Sequence, residues 1–385
     1  MKFSPLRALP LGMLLVAGCA EQPSSNETLS LTPVAYEALT GWSGAEALSV
    51  LSSLRAECRR FATLPPQTHL GGSAPTIPNG SRAGDWAGAC GVLATTPDDA
   101  SSAQRYLQAW FVPYRVEQDA FYSGYYEPQV FGSPTRQGAF QTPLYARPTD
   151  LVRARTTAGS WVSGRWQDGR FSPHFSRAEI DQGALAGKGL ELAWLRSPED
   201  LFFLQIQGSG RIVMPDGSVM RVGYSGRNGH PYTPIGHVLV ENGDLAAHDV
   251  TMVNIRNWLA AHPDQARSIL EKNANYVFFK RLEGLDAASG APGALGIGLT
   301  PGRSIAIDRN VMPLGVPVWV ETRLPDAQGQ VGDWRHLVLA QDIGTDIAGP
   351  GRADLFTGWG PAAEAVAGGL RESGTMTVLL PRPPA

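Results

Sequence analysis

Three aspartates near the C-terminus combine a suitable side chain with a suitable setting for acid–base chemistry. Asp308 ends the apolar run Ile305-Ala306-Ile307, and Asp342 ends Leu337-Val338-Leu339-Ala340-Gln341 and precedes Ile343-Gly344. Asp354 stands in Gly351-Arg352-Ala353-Asp354-Leu355-Phe356-Thr357-Gly358. A carboxylate at the end of an apolar strand sits on a rigid element at the rim of a sheet or barrel, a placement that suits catalysis. A strand-end aspartate also makes ordinary turns; three within 47 residues, two of them beside glycines, weigh against turns alone. An acid working near neutral pH needs a pKa above the roughly 3.9 of a free aspartate. Burial raises it, and so do neighbouring carboxylates, because like charges close together leave one group protonated.

Other chemistries fit these residues less well. Asp342, Asp346 and Asp354 lack a His or Glu at metal-ligand spacing and form no calcium-loop motif, so no metal is expected. There is no G-x-S-x-G, and Gly208-Ser209-Gly210 is a common turn. Gly296 and Gly298 do not complete a dinucleotide fingerprint, and no cofactor is expected.

The elements that must position the aspartates are short. The chain has 385 residues, enough for two or three domains, and is 43% hydrophobic, enough for a large core. With 44 glycines and 30 prolines, turns are frequent and short strands are favoured over long helices. The net charge is −3 and no basic block occurs, which excludes nucleic-acid binding through a phosphate-neutralising surface. No internal stretch reaches 18 apolar residues, so no spanning helix is expected in the body.

Helical spacing of Leu48, Leu51, Leu54, Cys58 and Phe61 predicts a helix over Gly44–Phe61, and a second follows Pro97-Asp98 through Tyr106, Leu107 and Trp110. From Phe121 the texture changes to short β-like runs. Leu201–Gln207, Arg211–Met214 and Val219–Tyr224 read as strands separated by Gly208-Ser209-Gly210 and Pro215-Asp216-Gly217-Ser218. Thr251 caps one predicted helix and Pro263 opens another that ends near Asn273. Strands then resume at Ser304–Asp308, Val316–Val320, His336–Asp342 and Thr375–Leu380.

The N-terminus reads as an address. Lys2 and Arg7 precede the apolar run Leu9–Ala17, too short to span a bilayer. Leu15-Val16-Ala17-Gly18-Cys19 resembles a bacterial lipobox, in which residues 1–18 are a signal peptide and Cys19 is lipidated; the alternative is an ordinary signal with an incidental cysteine. Ala20, rather than Asp, fits the outer-membrane pattern, and several acyl chains are needed because one anchors only marginally. The Ser-, Thr- and Pro-rich stretch that follows makes 19–34 a flexible tether. Cys58 and Cys90 remain, and in an exported protein they can form a disulfide or stay as two buried thiols.

Four segments together carry a family resemblance: Phe121-Tyr122-Ser123-Gly124-Tyr125-Tyr126-Glu127-Pro128, Phe203-Leu204-Gln205-Ile206-Gln207-Gly208-Ser209-Gly210, Val222-Gly223-Tyr224-Ser225-Gly226-Arg227-Asn228-Gly229-His230-Pro231-Tyr232, and the three-aspartate region. The chain resembles the membrane-bound lytic murein transglycosylases of the A type over residues 121 to about 358, and the lipobox agrees. The resemblance implies cleavage of the MurNAc–GlcNAc β-1,4 bond of peptidoglycan without water, the muramyl 6-hydroxyl closing a 1,6-anhydro ring. It implies Asp354 as the single acid and base, with Asp342 and Asp308 orienting and polarising it. It implies a mainly β fold: a double-psi β-barrel (35–121 and 277–385) with a second, smaller β-barrel domain (122–276) inserted and the glycan in the groove between them. Tyr125, Tyr126, Gln205, Gln207, Gly208, Ser209, Gly210, Asn228, His230 and Tyr232 are then the candidates for substrate contact, with one of the two tyrosines, not both, expected to touch sugar because adjacent strand residues face opposite ways. Gln205 and Gln207 are expected on one face of a strand. Trp359 is expected to stack on sugar or to pack. The implied partners are peptidoglycan strands and, through the lipid anchor, the periplasmic face of the outer membrane; no protein partner is legible. The competing expectations are a non-catalytic peptidoglycan-binding lipoprotein and a true glycoside hydrolase.

Overall fold

The structure, a computed structural model, describes residues 28–72, 77–157, 161–285, 289–326, 329–344 and 347–383. The signal segment, Cys19 and Asp346 lie outside the described residues.

The apolar C-terminal strands close a sheet on itself. Six strands, Ala120–Glu127, Ser304–Ile307, Pro317–Pro325, Val331–Ile343, Arg352–Trp359 and Arg371–Pro381, form a ring because the last pairs with both Pro317–Pro325 and Ala120–Glu127. Ser304–Ile307 runs parallel to Val331–Ile343, and Arg352–Trp359 parallel to Ala120–Glu127; the other pairings are antiparallel. Tyr122, Ile305, Val320 and Leu355 meet inside the ring and leave no room for water, so the interior is a core and not a pore.

The N-terminal helices cover one side of this barrel. The expected first helix is broken at Val50 into Gly44–Ser49 and Leu51–Ala62. Ala100–Trp110 follows its Asp99 cap, whose carboxylate accepts the Ser102 amide. Leu51, Leu54, Phe61, Trp86 and Leu107 share one apolar cluster with Val318, Leu337 and Leu379 of the barrel. Cys58 and Cys90 are joined in a disulfide, with Cα atoms 5.3 Å apart, that ties helix Leu51–Ala62 to helix Ala87–Leu93. By loop-closure entropy the Cys58→Ser/Cys90→Ser variant is expected to lose about 3–4 kcal/mol of unfolding free energy. Urea titration of the two proteins under oxidising conditions measures that loss; equal midpoints would remove the disulfide's stabilising role.

Two sequence-based boundaries move. Leu29 is buried and Leu31–Pro33 pairs with Phe111–Val116, so the segment expected as tether over 19–34 joins the fold at its end. The alternation of Leu29 and Leu31 was too short to read among Ser, Thr and Pro. The barrel also keeps its strand through Glu127, and Val277–Arg281 belongs to the second sheet. The chain therefore leaves the barrel after residue 127 and returns beyond 281, rather than at 122 and 276.

The second sheet has six strands, Gln129–Ser133, Thr142–Tyr145, Glu191–Leu195, Ser209–Val213, Val219–Arg227 and Val277–Arg281. A bridge between Ala146 and Phe279 brings its two edges together. Leu201–Gln207, expected as a strand, is the body of helix Pro198–Gln207. Ser197 caps it by accepting the Asp200 amide, Pro198 opens it and left-handed Gly208 (φ 76°) ends it. The run LFFLQIQ lacks a polar face because the helix is buried on opposite sides: Leu201 and Leu204 enter the sheet core, whereas Phe202 and Phe203 pack with Trp258, Leu259 and Ile269 of helices Met252–Ala261 and Pro263–Glu271. A short apolar run of this kind does not distinguish strand from helix by periodicity.

Candidate active site

Register brings two of the three aspartates together. Ala306 is the neighbour of Asp354 on one side and of Asp342 on the other, and Asp354 is also opposite Ser123. The result is a row, Asp342–Ala306–Asp354–Ser123, across four strands. At roughly 4.8 Å between adjacent strands, the two aspartate backbones are about 10 Å apart. A register shift between Ile305 and Ala306 makes this possible: Ile305 faces Ala340, Gln341 is skipped, and Ala306 faces Asp342. Because strand side chains alternate, such a one-residue slip decides which face a carboxylate occupies. Gln341 instead points into the core and donates to the buried Glu57 at 2.7 Å. Ala306 lines the cleft with both aspartates; a larger side chain there would stand between them.

Asp354 is held at one oxygen. Its Oδ1 accepts from the Ser123 hydroxyl and from Arg352, and Arg352 also donates to Ser123 Oγ at 2.7 Å. Oδ2 makes no hydrogen bond among the described residues. Asp342 accepts the Ile343 amide at 2.9 Å and the Tyr125 hydroxyl at 3.1 Å. Burial pushes the Asp342 carboxyl up to about 6, against the pull of those two donors. Burial, then the charges of Asp342 and Asp354, holds the Tyr125 hydroxyl well above its ordinary value, so it remains a donor.

The raised Asp342 pKa has a stability consequence. Below about pH 3.8 the carboxyl is protonated in both folded and unfolded chains and costs nothing. As pH rises to about 6 the unfolded chain releases its proton first, and folding loses on the order of 3 kcal/mol. Asp342→Asn is therefore expected to match the wild type in unfolding free energy near pH 3.5 and to exceed it above pH 6. A gap of the opposite sign, or one independent of pH, would contradict the burial of a strained carboxyl.

Asp308 lies elsewhere. Its Oδ1 accepts the Asn310 amide and its Oδ2 the Gly349 amide, each at 2.9 Å, and it does not line the cleft. It pins the segment that leads into strand Arg352–Trp359, the strand that carries Asp354. The expected three-carboxylate cluster is thus a pair with a remote support.

The cleft lies between the two sheets and encloses about 1200 Å³, beyond the ~300–1,000 Å³ of a small-molecule pocket and suited to an extended chain. Among the sequence-expected residues, Tyr125, Gln205, Gln207, Gly208, Ser209 and Tyr232 line it. Tyr126 is buried, with its hydroxyl 3.6 Å from Met252 Sδ. Gln205 and Gln207 are helical rather than on a strand: Gln205 donates to Val277 O, and Gln207 accepts the Tyr126 amide. Gly210 packs under Leu204, whose Cδ1 lies 2.2 Å from where a Cβ would stand. Asn228 is fully buried, donating to Phe175 O and Ala274 O while its Oδ1 accepts the His230 and Tyr276 amides. His230 Nε2 is 2.8 Å from His174 O. Asn228 and His230 therefore build the loop and do not line the cleft, contrary to expectation, because a polar side chain in a turn-rich segment is consumed by the orphan backbone groups around it. Trp359 packs its ring against the Arg211 guanidinium at 3.8 Å.

Sequence reasoning passed over Ser123, Arg352 and Ala306, although all three lie inside quoted motifs, and the wall Ala291–Leu299. The signal for the last was a run of small residues, Ala291-Pro292-Gly293-Ala294, docked on Gln341 O through the Ala294 amide at 2.9 Å.

A closed barrel with a second sheet domain threaded into it, and a carboxylate pair on the floor of the cleft between them, defines the class: a two-domain cleft protein with paired aspartates in the cleft. The family model described as the MltA specific insert domain matches residues 121–280, and that of the 3D domain matches residues 303–380. The chain belongs to the MltA family. It is 36% identical over 270 residues to membrane-bound lytic murein transglycosylase A of Escherichia coli (strain K12), an alignment that covers 69% of this chain and 66%, just under two thirds, of that protein. A crystal structure of a membrane-bound lytic murein transglycosylase from Agrobacterium tumefaciens matches with a TM-score of 0.78 and 30% identity, over 92% of this chain and 98% of that one. A crystal structure of E. coli MltA with bound chitohexaose matches with a TM-score of 0.66 and 27% identity, over 93% and 95% of the two chains.

Proposed function

We propose that this protein is a peptidoglycan lytic transglycosylase that cuts the MurNAc–GlcNAc β-1,4 bond and leaves 1,6-anhydro-MurNAc ends. The observation that carries the reading is the row Asp342–Ala306–Asp354–Ser123 on the cleft floor, with one oxygen of Asp354 held and the other unoccupied by any described residue. The chitohexaose bound by a relative supports an oligosaccharide in the cleft.

In this reading Ser123 and Arg352 hold Oδ1 and fix the rotamer of Asp354, and Oδ2 is the oxygen that exchanges a proton with the substrate. Asp354 gives it to the glycosidic oxygen as the bond to the anomeric carbon breaks. The resulting carboxylate then takes the proton of the muramyl 6-hydroxyl, which closes on the anomeric carbon. One group serves twice because the nucleophile is part of the substrate: water, and the second carboxyl that would activate it, are replaced by an internal hydroxyl with a high effective concentration. Tyr125 and Asp342 keep a half-buried acid beside the site, and Asp308 holds the strand. Tyr125, Gln207, Gly208, Ser209 and Tyr232 contact the glycan. Lipidation at Cys19 anchors the enzyme to the periplasmic face of the outer membrane.

Mass spectrometry of digested sacculi tests the reaction. Muropeptides lighter by one water than hydrolysis products are expected. Reducing ends carrying oxygen-18 from labelled solvent would make it a hydrolase, and strands left intact would make it a binder.

A further inference from the structure

The cleft is chemically asymmetric. Its lining carboxylates, Asp342 and Asp354, both belong to the barrel floor, whereas the insert-domain wall carries Arg147, Arg153, Arg227 and Lys280. This contrasts with a chain whose net charge is −3. Arg153, Arg227 and Lys280 are exposed, and among the described residues none of them is within ion-pair distance of a carboxylate. Arg147 is partly spent, donating to Leu151 O at 2.6 Å.

These cations are placed by rigid elements. Arg227 and Lys280 lie on the paired strands Val219–Arg227 and Val277–Arg281, with Arg227 opposite Val277 and Lys280 opposite Gly223, about 10 Å along the sheet. Arg153 lies on a three-stranded arm, Val152–Arg155, Trp161–Gln167 and Arg170–Ser172, with its guanidinium 5.2 Å from the exposed Trp161 ring. The arm is seated on the loop after Arg227. Gly229 (φ 91°) comes so close that a Cβ there would stand 1.9 Å from Ser163 O, and the Arg165 guanidinium packs 3.8 Å from the Phe175 ring.

N-acetylated sugars are neutral, so the glycan backbone offers these cations no partner. The anionic groups of peptidoglycan are carboxylates, on the peptide attached to the muramyl lactyl group or on the lactyl group itself where the peptide has been removed. Spread over about 10 Å or more, the cations match a peptide with several carboxylates better than one lactate. We propose that the insert-domain wall is a subsite for the carboxylates of the stem peptide, held by Arg153, Arg227 and Lys280, and that it makes the enzyme prefer peptide-bearing strands. The inference rests on the peptidoglycan reading above.

The test compares wild type with Arg153→Gln/Arg227→Gln/Lys280→Gln on peptide-bearing strands and on strands stripped by an amidase, which keep the lactyl carboxylate. On peptide-bearing strands the KM of the triple variant is expected to rise about tenfold with kcat within about twofold. On stripped strands the two proteins are expected to share one KM. Salt at ~0.5 M is expected to erase the wild-type preference, because exposed charges are screened. Equal KM increases on both strands would assign the cations to the lactyl group or sugar, and no increase on either would leave the wall without a ligand role. Loss of binding to anionic lipid vesicles with both KM values unchanged would assign it to the membrane. Each of these outcomes overturns the proposal. Fluorescence titration of the same strands reads the same tenfold difference as Kd, so a protein that binds but does not cut refutes the proposed reaction and leaves this inference standing.

Discussion

Asp354→Asn is expected to lower kcat on peptidoglycan by ~10³-fold while the protein stays folded. Asparagine keeps an oxygen for Ser123 and Arg352 but has no acidic proton to give. Arg352 retains donations to Ala353 O and Ser123 Oγ, each at 2.7 Å, so it is not stranded. Asparagine still offers an oxygen to both donors, so the fold is expected to survive loss of the Arg352 ion pair. KM should change little, because the carboxyl acts in the transition state and not in holding the remote sugars. Steady-state assay of released anhydro ends and a urea titration together check this. Retention of more than a few per cent of turnover by the folded variant would place the acid elsewhere, with Asp342 the next residue to replace.

Glu127→Gln is expected to cost about 3–5 kcal/mol of stability, the largest effect of any single substitution away from the catalytic row. Glu127 is fully buried at the end of a barrel strand. It accepts from Arg211 Nε and Arg221 Nε, both at 3.0 Å, and from Arg221 Nη2 at 3.1 Å. Both arginines also donate to Ser289 O, and Trp359 covers Arg211. The cluster therefore joins the barrel, the insert sheet, the returning chain and the strand of Asp354 at one point. Removing this negative charge takes from two largely buried guanidinium groups a carboxylate that both of them share, which is costlier than never having buried them. The same loss loosens the two walls of the cleft, so KM should rise together with the fall in urea midpoint. Glu127→Leu/Arg211→Met/Arg221→Met is expected to recover most of the stability, since these three charges are then no longer buried, but not the KM, since the directional contacts are gone. A Glu127→Gln protein as stable as wild type would show that the cluster is not what joins the domains.

Much of this protein is legible along the chain. Apolar runs ending in Asp342 and Asp308, the cap at Asp99 and the Pro263 helix start are local patterns, set by alternation, capping and turn chemistry within a few residues, and they appear in the fold as strands and helices. The exchange of Asn228 and His230 from expected ligands to loop supports, and of Leu201–Gln207 from strand to helix, shows where local patterns end. A buried asparagine and a ligand-binding one have the same neighbours in sequence, and burial on two sides erases the polar face that marks a helix.

The residue types and the apolar strand runs that lead into Asp308 and Asp342 were thus written in short-range order. Which aspartates meet was not. It depends on a ring closed by strands 120–127 and 371–381, more than 240 residues apart, and on one skipped residue, Gln341, that turns Asp342 toward Ala306 and Asp354. Pairing across such distances is chosen by the burial of many side chains at once, and a shift of one residue reverses every face of a strand; no local run of amino acids carries that information.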